Sequence, residues 1–148
     1  MKRRDFLKGA LLATTLLASG KSYAEEYKKA DEKELLRLKN TGNPSLLEQK
    51  HVPGIVSPTE VSKDEWFDVK VKVGFLKEHP STPEHWITMI KLIADGNPIA
   101  KTKFKVGGVS PSFTSFRIRL NKSSTIEAIE NCNLHGRWIS DSVKIKVL

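Results

Sequence analysis

An all-β fold, an antiparallel sandwich or barrel, is what the sequence predicts, and three observations predict it. Phe67, Val69, Val71, Val73 and Phe75 alternate with Asp68, Lys70, Lys72 and Gly74, the period-two pattern of a strand with one buried face. Further short segments of strand character follow at 85–94, 99–106, 113–120, 125–132 and 138–147. Turn signals such as Asp95-Gly96-Asn97-Pro98 and Gly107-Gly108 separate them, and short strands at that spacing build sandwiches and barrels. A short N-terminal helix is expected over residues 29–40, where helix formers dominate and Leu35, Leu36 and Leu38 cluster toward one side. Asn40-Thr41-Gly42-Asn43-Pro44 ends it, and a Pro- and Gly-rich loop is expected to run through His51-Val52-Pro53-Gly54 to about residue 63.

At 148 residues, 39% hydrophobic and 28% charged, the chain has the composition of one globular domain, and it shows no internal repeat. Its start has another character. Lys2-Arg3-Arg4-Asp5-Phe6-Leu7-Lys8 precedes an apolar run at 9–19 and then Ser22-Tyr23-Ala24, which together make the three regions of a signal peptide. The paired arginines resemble the twin-arginine export motif, whose machinery carries folded proteins. Cleavage is expected after Ala24, leaving residues 25–148 as a periplasmic domain, with membrane association if the segment is retained. The apolar run is too short for a stable membrane span, which takes ~20 residues. Residues 1–24 carry five positive charges and one negative, so a chain starting at Glu25 keeps +4 of the formal +8. No stretch interleaves Lys or Arg with aromatics, and no nucleic-acid partner is expected.

The residues with chemistry are few: His51, His79, His85, His135 and a single cysteine, Cys132. One cysteine excludes any disulfide within the chain, so export would take a free thiol into an oxidising compartment. His79 and His85 bracket Pro80 and Pro83, which stiffen the backbone between them. Cys132 and His135 sit in Cys-Asn-Leu-His-Gly-Arg-Trp, where Gly136 can take a positive φ and turn the chain. A lone loop histidine is more often solvated than ligating. Cys-x-x-His fits a buried structural thiol beside a surface histidine as well as it fits a metal pair. Only the assembled set points to a metal.

Three segments, Lys50-His51-Val52-Pro53, then His79-Pro80 through Glu84-His85-Trp86-Ile87, then Cys132-Asn133 with His135-Gly136 and Trp138, resemble the superoxide reductase family of neelaredoxin and desulfoferrodoxin iron domains. The resemblance spans residues 45–148 and implies an immunoglobulin-like antiparallel sandwich of about seven strands. It implies one non-haem iron, cycling between Fe²⁺ and Fe³⁺, with His51, His79, His85 and His135 equatorial, Cys132 axial and a sixth position open. Superoxide would be reduced by one electron to hydrogen peroxide. Lys50 takes the place of a family lysine that steers the anion and assists protonation. The amides of Leu134 and His135 are expected to hydrogen-bond the sulfur and tune the potential. An electron-donor protein is implied: rubredoxin for cytoplasmic members, a periplasmic or membrane-linked reductant for an exported one. One-iron members are often homo-oligomers, tetramers among them, and a dimer or tetramer is compatible with this sequence.

Two departures matter. The family motif places Glu before the Lys-His pair, where its carboxylate closes the sixth position in the oxidised state; here that residue is Gln49. Glu48 is one position off and would point the other way in an extended segment. Solvent, and no carboxylate, is therefore expected at the sixth position. The four-cysteine module of longer members has no counterpart, since Cys132 stands alone. A cupredoxin-like copper carrier is the rival outside catalysis, but it wants a weak axial methionine after the Cys and His, and the methionines are Met1 and Met89. A zinc site would close with four ligands, a cysteine hydrolase would strand three histidines, and a metal-free binding sandwich leaves the set unexplained.

Overall fold

The computed structural model describes residues 35–148, and the signal peptide with its cleavage point lies outside them. Ten strands and one helix follow in the order β1 (Leu35–Leu36), α1 (Leu46–His51), β2 (Pro53–Val56), β3 (Glu60–Val61), β4 (Phe67–Val73), β5 (Ile87–Ala94), β6 (Asn97–Lys103), β7 (Phe113–Ile118), β8 (Ser124–Cys132), β9 (Gly136–Ile139) and β10 (Val143–Val147). Strands β2, β4 and β7 form a three-stranded antiparallel sheet. The others form a seven-stranded sheet in which β5 and β8 pair along most of their length.

The expected sandwich is present, and the alternation in β4 shows why. Phe67, Val69, Val71 and Val73 are buried against Ile90, Leu92, Ile126, Ala128 and Ile145 of the larger sheet, while Lys70 and Lys72 face solvent. β5 is buried on both faces because Ile93 packs behind the sheet with Ile129, Ile139 and Leu35. Asp95 (φ 49°) and Gly96 (φ 78°) form the two-residue turn to β6, whose positive φ values match the twist of the flanking strands.

Three expectations are corrected. The helix at 29–40 is not formed over its described part: Leu35 and Leu36 pair in parallel with Arg137 and Trp138, and Leu35 packs on Ile93, Ile129 and Ile139. Burial against a sheet overrides local helix preference there; residues 29–34 lie outside the described range. Second, His51 is not in a loop but ends α1. Ser45 caps that helix by accepting from the Glu48 N–H, and the Glu48 carboxylate accepts from the Ser45 N–H in return, a reciprocal capping box. Pro53 stops it, with Val52 already extended. Third, the segment 138–147 is two strands. Both pair with β8, β9 along Ile129–Cys132 and β10 along Ser124–Ile126, and between them Ser140 exchanges hydrogen bonds with Ala128.

Antiparallel topology then collects the chemistry at one end. The start of β2 pairs with the end of β4, the start of β5 with the end of β8, and the end of β8 with the start of β9. The histidine- and cysteine-bearing turns leave from these strand ends. Leu92, fully buried between the sheets, measures how much the sandwich depends on its core: Leu92→Ala should cost about 2–5 kcal/mol by urea denaturation, while Val109→Ala at an exposed position should cost close to nothing.

Candidate metal centre

Each chemical side chain is delivered by a distinct local device. α1 presents His51, whose Nδ1 donates to the Leu47 carbonyl one turn back at 2.7 Å. A carbonyl only accepts, so that nitrogen holds the proton and Nε2 is left with a lone pair. Gly74, at φ +87°, turns the chain after β4 where a Cβ would run into the Lys77 carbonyl. The turn brings His79 back, with its N–H on the Val73 carbonyl and its carbonyl held by the buried Ser112 hydroxyl. His79 Nδ1 donates to Pro80 O at 2.7 Å, leaving Nε2 buried with no hydrogen-bond partner. Cys132 ends β8, and Gly136, at φ +79°, closes the loop that returns His135.

The four imidazoles form a ring. Centroids of successive neighbours lie 4.7 Å apart for His51 and His79, 4.5 Å for His79 and His85, 4.9 Å for His85 and His135, and 4.8 Å for His135 and His51, each pair steeply crossed. His51 and His85 face each other across it at 6.1 Å, nearly parallel. Inside, His135 Nδ1 lies 3.1 Å from His51 Nε2 and 3.2 Å from His85 Nε2, and Cys132 Sγ lies 3.2 Å from His85 Nε2 and 3.6 Å from His135 Nδ1. The donor atoms of His51, His85, Cys132 and His135 are all within 4.8 Å of one another. Two nitrogens each ~2.1 Å from one ion and at right angles are about 3.0 Å apart, so the observed spacing suits a single ion.

Electrostatics agree with a cation. Burial lowers the pKa of His51, and that of His79 to about 4, against the carbonyl hydrogen bonds that work the other way. His85 is lowered by burial and then by the charges of His135 and Lys50. Neutral imidazoles with converging lone pairs are what a metal ion requires. Burial pushes the Cys132 thiol up, while the amides of Leu134 and His135 donate to the sulfur and favour the thiolate. A bound cation would decide that contest for the thiolate.

A sequence profile of the desulfoferrodoxin family matches residues 44–141, the span that holds all five of these side chains. The chain belongs to the desulfoferrodoxin family. Within it, a Thermotoga maritima protein provisionally named a superoxide reductase is 38% identical, covering 67% of this chain and 88% of its own length. The desulfoferrodoxin of Nitratidesulfovibrio vulgaris is 34% identical over 74% of this chain and 75% of its own. The solved structure of the superoxide reductase (neelaredoxin) from Ignicoccus hospitalis superposes with a TM-score of 0.67 at 28% identity, over 80% of this chain and 98% of that one.

The structure therefore brings donor atoms of His51, His85, His135 and Cys132 together and sets the His79 ring beside those of His51 and His85, outside that four-residue group, while Lys50 at the end of α1 is close enough for its charge to act on His51 and His85. Glu48 is turned away, though not by an extended backbone: its carboxylate accepts from the N–H groups of Lys39 and Ser45, both at 2.7 Å. Those two bonds also lower its pKa. The Gln49 amide donates to Pro44 O. Sequence reasoning missed what supports the ring. Trp138, 3% exposed, stacks on His51 with centroids 5.4 Å apart and donates through Nε1 to His135 O. Ser45-x-x-Glu48 is a readable capping signature that would have placed His51 on a helix. Trp138→Phe should keep the stack and lose about 1 kcal/mol in thermal unfolding, and Trp138→Ala should lose about 3–5 kcal/mol.

Proposed function

We propose that this chain is a superoxide reductase, with His51, His79, His85, His135 and Cys132 holding one iron and Lys50 serving the substrate. The observation that carries this reading is the ring of four imidazoles with a thiol 3.2 Å from the nearest ring nitrogen. That is a nitrogen-rich donor set with a single sulfur, suited to a redox metal. Held by these residues, an iron ion would supply the one electron, as Fe²⁺ giving Fe³⁺, that with two protons converts superoxide to hydrogen peroxide without release of dioxygen.

The side chains have separable tasks. Lys50 places a positive charge near His51 and His85, which raises the local concentration of a small anion and provides an ammonium N–H toward the product. The amides of Leu134 and His135 spread charge from the sulfur, which moderates its donation to the metal. Glu48 and Gln49 are both committed to hydrogen bonds around α1, so no carboxylate from this segment blocks substrate entry. The electron returns from a donor protein, rubredoxin-like or a periplasmic redox partner. We infer further that the segment 1–24 exports the protein by the twin-arginine route to the periplasm, already folded around iron, ahead of competition from copper and zinc.

Iron-loaded protein mixed with superoxide should consume it with one peroxide formed per superoxide; release of half an equivalent of dioxygen would mark dismutation and sink the assignment. Lys50→Ala should slow the reaction on the order of tenfold and flatten its dependence on ionic strength, with iron content unchanged. For export, replacing Arg3 and Arg4 by Lys should leave folded, iron-containing protein in the cytoplasm. Continued delivery of an unfolded chain would contradict the proposed route.

A further inference from the structure

One side chain holds the backbone on both sides of His85. Asn133, directly after Cys132, accepts from the Trp86 N–H through Oδ1 at 2.9 Å and donates through Nδ2 to the Glu84 carbonyl at 2.8 Å. Its own N–H donates to Trp86 O at 3.2 Å. The β5–β8 ladder is irregular between Ile87 and Met89, and its last pair is Ile87 with Cys132. Beyond that pair Asn133 takes over the joining of the two segments, straddling the peptide units that flank His85.

The other ties of this segment lead elsewhere. Thr82 exchanges bonds with the His85 backbone inside the same turn. Trp86 Nε1 donates to Phe104 O and Ser81 to Ser110 O, both on the side of β6 and β7. These bonds shape the turn but do not set its distance from the cysteine. The spacing at stake is the 3.2 Å between His85 Nε2 and Cys132 Sγ.

We propose that Asn133 is a positioning residue that fixes the separation of His85 from Cys132, and so governs how tightly and with what thiolate character the centre holds its metal. The proposal rests on the metal reading above. Asn133 is exposed, so removing its side chain should leave the sandwich itself intact.

Cobalt(II) is a direct probe, because a thiolate on it gives a charge-transfer absorption that reports the sulfur. The wild-type full-length chain should bind one equivalent with that band. N133A, and N133Q, whose extra methylene prevents the amide from straddling the turn, should bind on the order of tenfold more weakly with a shifted band. Unfolding of the metal-free variants should stay at the wild-type midpoint. N131A, which removes a cross-strand bond to Thr88 from the residue before Cys132, should leave affinity and band unchanged. N133A with wild-type affinity and band overturns the proposal while leaving the metal reading standing. So does a variant that fails to fold without metal, since Asn133 would then be structural. A wild-type chain with no thiolate band overturns both.

Discussion

Ring nitrogens 3.1–3.2 Å apart, with a sulfur as close, are near enough to share protons or to share one cation. His51 and His79 spend their protons on carbonyl oxygens, so their inward-facing nitrogens carry lone pairs, and His79 Nε2 is buried without a partner. A buried polar atom left unpaired costs about 1–3 kcal/mol. Protonating all four rings would crowd positive charges against one another. A single cation would accept the inward lone pairs together, and the rest of the structure can be understood as what holds the rings in place for it.

Strand ends do most of that work. Because β2, β4, β5, β8 and β9 are antiparallel neighbours, their ligand-bearing ends meet at one end of the sandwich without any long connection. Short local devices then aim each ring: the capping box under His51, the positive-φ turn before His79, the asparagine clip beside His85, and the glycine turn after His135. Trp138 joins two of them, flat against His51 and bonded to the carbonyl of His135. Glu48 stands at the third position after the Ser45 cap, so its carboxylate serves the helix start and not the centre.

Much of this was legible in the sequence, for identifiable reasons. β4 announced itself because one of its faces is buried and the other wet, so period two survives in the residues. The candidate donors stood out because the sequence has no other histidine or cysteine and their neighbours match a family, and the structure gathers His51, His85, Cys132 and His135 with the His79 ring beside them. β1 was not, because Leu35 and Leu36 sit among helix formers and become a strand only through β9 and the isoleucines behind the sheet. Nor was the division of β9 from β10, since the break at Ser140 is a matter of which part of β8 each one meets. Asn133 was visible as a motif letter, but its contacts with residues 84 and 86 reach across 49 and 47 residues of sequence and leave no local trace.

We propose above that four imidazoles and one thiolate share one iron. Metal analysis of the purified protein together with its optical spectrum after oxidation tests this most directly. One iron per chain and a thiolate-to-ferric charge-transfer band that disappears in Cys132→Ser are expected. An iron-free protein, or a band that survives that substitution, would contradict it.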